Sequence, residues 1–593
     1  YTSYGYGSEY GVLQDAWYQD NEINQEVNDT TKVMFTPFSL PNSRSNQGGH
    51  SHIVITDFSP RDTVMSFSLT TDMLQSGFPS YFQSCSTWVS PVLTGDLNGD
   101  GNQELITASD QAIFAWEKDG TPFFSDSTGF RVTVTYDTIF YKVPLLIKCS
   151  ETISIPPLVF DINGDFRDEI IIADKSGTVS GWSMEGGNGG GLAAAKVFSW
   201  NNNQTSISTN LHIIASPSDT CLIFGTREGK VFSLTSTGSL NWDYQAGEEA
   251  ITGICQADEE GTIAVTASSN LIFIDNAGSL IKEKQFSEAG ELHNPISAYL
   301  GEEDYPLTAV VSQSGNLLIY DRFEDVYYYT EDKITGSPLS FPAAGDIDGD
   351  GISEIVITAQ DKIYGFNANA SYVDYSPFPY FPRTTELSSC LLGDVNGDDK
   401  IDIVVATSEG NIEAWNYSGE MVTDFPLTTG GSVPGSPTLL DLDKDGDLEI
   451  AAVSEKGELF VWDLPGSYSA ELIPWGSYLY DAANSGMSRV KPIAVPEKSD
   501  LMPDNLVYNY PNPAKGNFTY IRYRLEKQAK VSIEIYDLAG ELVDSFSGPG
   551  MGNTENEIRW DISGKESGVY FCRVKADTGS KEKAVICKIA VIK

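Results

Sequence analysis

Five short stretches of this 593-residue chain repeat one arrangement of side-chain oxygens. An Asp stands first, Asp or Asn third, Asp fifth, and Asp or Glu ninth. The sets are Asp96, Asn98, Asp100 and Glu104; Asp161, Asn163, Asp165 and Glu169; and Asp346, Asp348, Asp350 and Glu354. The other two are Asp394, Asn396, Asp398 and Asp402, and Asp441, Asp443, Asp445 and Glu449. Carboxylate and amide oxygens at alternate positions of a tight loop converge on a hard cation, with a backbone carbonyl as a further ligand. The seventh residues, Asn102, Arg167, Ile352, Lys400 and Asp447, stand where that carbonyl belongs. Gly99, Gly164, Gly349 and Gly397 permit the tight turn. An EF-hand would need Glu at the twelfth position. Thr107, Ile172, Ile357, Val405 and Ala452 occupy it, which excludes that motif. One such loop would say no more than that Asp, Asn and Gly form turns. Five in register predict Ca2+, one ion per loop.

The overall charge points the same way. Lys and Arg number 37 against 83 Asp and Glu, a formal net charge of −46. Such a surface repels phosphate, which argues against nucleic acid and anionic membrane as partners. It attracts cations. A hydrophobic content of 40% is too high for a disordered chain. No apolar run approaches the roughly 18 residues of a transmembrane helix; Val143–Ile147 and Ile170–Ala173 are strand-sized. The sequence starts at Tyr1 without a leader-like segment, and so reads as a processed or truncated product.

Catalytic constellations are missing from the sequence. The four histidines are His50, His52, His212 and His293, and none belongs to HExxH. His50 and His52, two apart in a strand-like run, read as exposed turn residues before they read as a metal pair. No GxSxG elbow, Walker loop or strand-borne GxGxxG is found. The Gly-rich run Gly186–Ala195 lacks a Lys and reads as a connecting loop. Glycosidase-type carboxylate pairs among the acids are not legible, because sequence does not give their separation. Seven cysteines without CxxC spacing do not make a disulfide scaffold. Cys572 and Cys587, equidistant from Gly579-Ser580, would face each other across a hairpin, as a bridge or as two free thiols.

The elements that carry the loops come from an internal repeat. A small-residue start, an apolar run, the acidic loop, a second apolar run and an aromatic recur at Ser90–Gly120, Pro156–Gly186, Phe341–Ala368, Ser388–Gly419 and Ser436–Gly466. Three degraded copies without the acidic loop fill the interval, at Ile213–Gly238, Ile251–Gly278 and Pro295–Phe323. Each unit holds three or four short strands and no helical periodicity. Eight such units predict an all-β chain with a seven- or eight-bladed β-propeller, eight preferred. Trp116, Trp182, Tyr320, Phe366, Trp415 and Trp462 fall in the third strand and should pack blade on blade. The expected organisation is an aromatic and β-strand N-terminal segment (1–80), the propeller (81–490), a linker (491–504) and an immunoglobulin-like β-sandwich (505–593).

The acidic loops resemble the FG-GAP or VCBS repeats of integrin-α-like propellers. That resemblance implies calcium on one face and macromolecular ligands on another, with no metal in the three degraded units. The segment from VYNYPNPA through IYDLAGELV and GVYF to KIAVIK resembles FlgD-type immunoglobulin-like domains and type IX secretion sorting domains. It implies export across the outer membrane and surface attachment. The stretch FTPFSLPNSRSNQGGHSHIVITDFSPRDTVMSFSL resembles the segment after the catalytic domain of immune-inhibitor-A-like metallopeptidases.

These readings converge on a non-catalytic, calcium-binding protein that is secreted or held at the cell surface. Its expected roles are adhesion, ligand binding or assembly of an extracellular structure. Expected partners are an extracellular protein, a polysaccharide or other copies of the chain. The aromatic Tyr1–Tyr18 segment suits chain-to-chain docking, and a head-to-tail contact that does not close would build a filament. The rival reading is the accessory region of a secreted metallopeptidase whose catalytic domain is absent from this chain.

Overall fold

The computed structural model describes most of residues 53–593; residues 1–52, 60–65, 83–87, 124–128, 187–191, 202–205, 374–377 and 491–500, with several shorter stretches, lie outside the description. The aromatic segment Tyr1–Tyr18 and both His50 and His52 therefore lie outside the described residues. All regular structure among the described residues is β, apart from one 3₁₀ residue. Two compact units divide the chain, Tyr1–Pro492 and Ile493–Lys593.

Among the described residues, the first unit contains eight antiparallel sheets of three or four strands, spanning 93–148, 158–200, 212–245, 251–285, 292–329, 343–366, 391–428 and 438–467. Strands pair in chain order within each sheet, so neighbours in sequence are neighbours in space. The second strands, such as Glu104–Ser109, Glu354–Ala359 and Asp402–Ala406, are buried at every position. A strand buried on both faces reads as a continuous apolar run, as these do. The outermost strands Leu240–Gln245 and Leu280–Gln285 alternate between exposed and half-buried.

Each sheet covers the next. Ile113 packs with Ile170 between sheets one and two, Ile171 with Leu222 between two and three, and Ile223 with Val265 between three and four. Phe273 and Val310 join sheets four and five. Ile319, Ile355 and Ile403 link five, six and seven, and Val404 and Ile450 link seven and eight. Leu105 and Trp116 of the first sheet then pack on Val453 and Val461 of the eighth. The packing is cyclic, which makes this unit a β-propeller. All six recurrent aromatics lie in third strands as expected; Trp116, Tyr320, Phe366 and Trp462 are fully or almost fully buried.

Two features of the ring differ from the reading of the sequence. The strand Ser80–Tyr81 pairs with Glu458–Ser467 and so becomes the outer strand of the eighth sheet. Ser80 and Phe78, from the end of the expected N-terminal segment, therefore help to close the ring together with Tyr81 and Phe82, and both Phe side chains are buried at the seam. An antiparallel hairpin, Gly129–Val134 with Asp137–Lys142, is inserted before the last strand of the first sheet. Within the expected N-terminal segment, Ile53–Thr56 pairs antiparallel with Ser68–Thr71.

After the eighth sheet the chain crosses the innermost strands of five sheets. Asp394 and Leu392 donate their amides to the carbonyls of Leu472 and Trp475, and Leu439 donates to Gly476. Ile213, Gln256 and Ser297 donate to Ala483, Ser485 and Gly486. This segment plugs the centre of the ring. Trp475, Leu479, Met487 and Ser488 are buried within it. Buried His212 meets the Asn484 carbonyl at 2.6 Å through Nδ1, and burial lowers its pKa to about 4, so the ring stays neutral at physiological pH.

The second unit is a sandwich of a three-stranded and a five-stranded sheet. Inward residues alternate along Phe518–Leu525, Lys530–Tyr536 and Gly568–Asp577. Its core also includes Leu501 and Met502. Both residues were assigned to the linker from the sequence; burial of their apolar side chains extends the folded unit to include them.

The central plug makes a direct prediction. Trp475→Ala should lower unfolding stability by ~3–5 kcal/mol, because it empties a large buried volume against two inner strands. A denaturant midpoint equal to that of the parent chain would refute the plug's structural role.

Candidate metal-binding loops

The five acidic loops occupy one structural position, between the first and second strands of sheets one, two, six, seven and eight. Because the eighth sheet packs on the first, these five sheets are consecutive around the ring. The equivalent connections of a propeller emerge on one face. The three sheets without acidic loops form the remaining arc.

Their backbones share one conformation. The fourth residue is left-handed in each: Gly99, Gly164, Gly349, Gly397 and Lys444 have φ of 75°, 79°, 78°, 76° and 66°. The sixth is left-handed too, at Gly101, Phe166, Gly351, Asp399 and Gly446. This curls the loop around its first Asp. Asp96 accepts amides from Gly99, Asp100 and Gly101 at 2.7, 3.1 and 2.7 Å. Asp161, Asp346 and Asp394 accept the corresponding three in their own loops. The fifth residue accepts the amide of the seventh, as Asp100 does from Asn102 at 2.7 Å. Asp165–Arg167, Asp350–Ile352, Asp398–Lys400 and Asp445–Asp447 repeat that bond.

The ninth residue is the unusual one electrostatically. Glu104, Glu169, Glu354, Asp402 and Glu449 are at most 2% exposed. The second residue of four loops caps this carboxylate: Leu97, Ile162, Ile347 and Leu442 donate their amides to Glu104, Glu169, Glu354 and Glu449. Desolvation still raises their pKa values, to about 8, 7, 10, 8 and 8 in chain order, and neighbouring loop carboxylates add to the rise. Each loop thus buries a carboxyl group whose charged form the surroundings disfavour.

Carboxylate oxygens gather within 4.8 Å at Asp441, Asp443, Asp445 and Glu449, and at Asp346, Asp348 and Glu354. Asp350 is outside the second group, and the loops at Asp96, Asp161 and Asp394 show no such gathering of acids. A further group, Asp447, Glu449 and Asp463, was missed in the sequence because Asp463 comes from the third strand. Several loop oxygens lack a hydrogen-bond partner, among them Asn396 Oδ1, Asp402 Oδ2, Asp441 Oδ1 and Asp447 Oδ1. An all-oxygen donor set with buried, unpartnered oxygens fits a hard divalent cation. Adjacent loops also touch: Asp168 of the second loop accepts the Asp96 amide at 2.7 Å, and Lys444 Nζ donates to the Gly101 carbonyl.

In the fourth sheet the corresponding connection, Ala257–Thr262, has a different solution. Asp258 Oδ1 accepts the amides of Glu260 and Thr262, while its Oδ2 takes Arg322 Nη2. Both side chains are nearly buried, at 11% and 12% exposed. Burial pushes the Asp258 carboxyl up, but hydrogen bonds from Thr262 and Arg322 outweigh it and hold it below its usual value. A guanidinium supplies the positive charge here.

An all-β propeller bearing acidic loops on consecutive sheets is the class that fold and site define. Residues 346–405 and 394–452 match the FG-GAP-like repeat, and residues 509–588 match the secretion system C-terminal sorting domain. The chain carries both, and its sorting domain marks it as a secreted or cell-surface protein of the type IX route. FG-GAP-like repeats often bind Ca2+, and both matched families are non-catalytic in kind. No helix among the described residues is long and apolar enough to cross a membrane. No curated protein matches the chain. Among solved structures, BBS1N in complex with ARL6DN is 13% identical over 66% of this chain and 98% of its own, with a TM-score of 0.37. Sqt1 from Chaetomium thermophilum is 11% identical over 66% and 99%, with a TM-score of 0.43.

Breaking the Asp258–Arg322 pair strands a buried carboxylate. Arg322→Ala should cost ~3 kcal/mol of stability, equally with calcium or with chelator present. A loss that calcium repairs would contradict the assignment of Arg322 as a built-in counter-charge.

Proposed function

We propose that this chain is a non-catalytic, calcium-stabilised extracellular propeller of eight blades followed by an immunoglobulin-like sorting domain. Five ions, one per acidic loop, neutralise about ten of its excess negative charges and stiffen one face. Side-chain oxygens at the first, third, fifth and ninth positions and the carbonyl of the seventh hold each ion. The stiffened surface serves adhesion, ligand binding or assembly, with an extracellular protein, a polysaccharide or further copies of the chain as partner.

The observation that carries this reading is the buried ninth carboxylate. Five loops with the same left-handed residues each direct an acid into the interior, where desolvation outweighs every stabilising contact and raises its pKa. A divalent cation supplies the missing charge, and the millimolar calcium typical of extracellular fluid suits sites of modest affinity. Mg2+ would substitute poorly, since it demands a smaller, near-octahedral shell.

Elemental analysis should find about one calcium per loop, and each site should add about 2.7 kcal/mol at a hundredfold excess over Kd. Chelation should lower the melting temperature and open the loops to protease. Asp350→Ala should reduce bound calcium by one ion and leave the other four sites filled. A melting curve indifferent to excess chelator, with no calcium in the purified protein, would end this proposal.

A further inference from the structure

The cysteines of the second unit form a site that the calcium loops do not involve. Cys572 lies in Gly568–Asp577 and Cys587 in Glu582–Ile592, and the two are direct register partners of one antiparallel pair. Directly opposed residues share a face of the sheet. Here that face is the interior: Cys572 is fully buried among Ile533, Val574 and Ile589, and Cys587 packs against the same core. The two thiols are hydrogen-bonded to each other, which raises Cys572 and lowers Cys587 from the usual thiol value.

Opposed residues in an antiparallel pair have Cβ atoms about 4.5–5.5 Å apart, and a disulfide takes about 3.5–4.5 Å. A slight tightening of the hairpin suffices. The other described cysteines, Cys149, Cys221, Cys255 and Cys390, lie in or beside four different sheets of the first unit. Pairing within the described residues is thus specified by topology. The sorting domain carries the chain out of the reducing cytoplasm, and disulfides persist in the compartments it then enters.

We infer that Cys572 and Cys587 are an oxidation site, closed to a cross-strand disulfide during export by a thiol–disulfide oxidoreductase in its disulfide form. Cys587, half-buried and therefore the reachable sulfur, attacks as thiolate one sulfur of the oxidant's disulfide. That S–S bond breaks, a mixed disulfide forms and one thiolate leaves on the oxidant. Cys572 then attacks Cys587 Sγ and expels the second oxidant thiolate. The two protons lost by the cysteines end on the two thiols of the reduced oxidant. The bridge closes a short loop and ties the strand Glu582–Ile592, which also pairs with Ala514–Lys515, into the larger sheet.

The test uses the full chain collected from the extracellular fraction, with an alkylating agent present at harvest to block later oxidation. Peptide mass spectrometry without reductant should find the Cys572 and Cys587 peptides joined, two hydrogens lighter than the sum of their thiol forms. Cys149, Cys221, Cys255 and Cys390 should carry the alkyl label once the chain is denatured. Reductant should lower the melting temperature of the sandwich in the parent and leave Cys587→Ser unmoved. Full alkylation of both Cys572 and Cys587 in the exported chain would overturn the inference. So would a parent whose sandwich melts identically with and without reductant.

Discussion

The organisation of the first unit depends on a demand made by its strands: each sheet has two apolar faces, and both must be covered. A lone sheet of three or four strands cannot satisfy this, and a row of sheets would leave the first and last exposed. Closure is the remaining solution. It requires Leu105 and Trp116 of the first sheet to meet Val453 and Val461 of the eighth. The strand Ser80–Tyr81, arriving from before the first sheet, completes the eighth and binds the ends of the ring covalently through the chain. Closure also arranges the acidic loops. Loops far apart in sequence, at Asp96 and Asp441, become neighbours, and Lys444 reaches the Gly101 carbonyl across the seam.

Electrostatics then set a second condition on the same sheets. With 83 acids against 37 basic side chains, the chain carries a large excess of negative charge. The fourth sheet holds an internal solution, where Arg322 meets Asp258 and stacks over Phe323 at 4.5 Å. Burying a charge without a partner is disfavoured strongly enough to shift its protonation, as the raised values of Glu354 and Asp402 record. The outer strands escape this condition because they face water.

Much of this was legible in the sequence, and for local reasons. The acidic loops declare themselves through spacing, since Asp, Gly and the ninth acid are all within one turn of chain. Strand runs such as EIVIT and DIVVA show burial on both faces by lacking alternation. Third-strand aromatics keep a fixed offset from the loops. What sequence did not reveal depends on distant partners. The plug, 472–488, has no period to detect, because its amide and carbonyl partners come from five different sheets. Ser80–Tyr81 is two residues long and acquires its identity only from Glu458 and Leu459 opposite. Asp463 joins the last acidic group from across the sheet. Leu501 and Met502 sit among Pro and charged residues, and composition alone concealed their burial.

The placement of the ninth acid distinguishes the five loop-bearing sheets from sheets four and five. In sheets one, two, six and seven this acid is also the first residue of the second strand, Glu104, Glu169, Glu354 and Asp402. That strand is the most buried element of its sheet, so the last acid of the loop is also a core residue. The proposed cation would meet its ligand at that strand. In sheets four and five the second strand begins instead with Ile263 and Leu307, both buried and apolar. Nothing at that position asks for a counter-ion. What the five loop-bearing sheets share, and sheets four and five lack, is a buried acid at or near the start of the second strand.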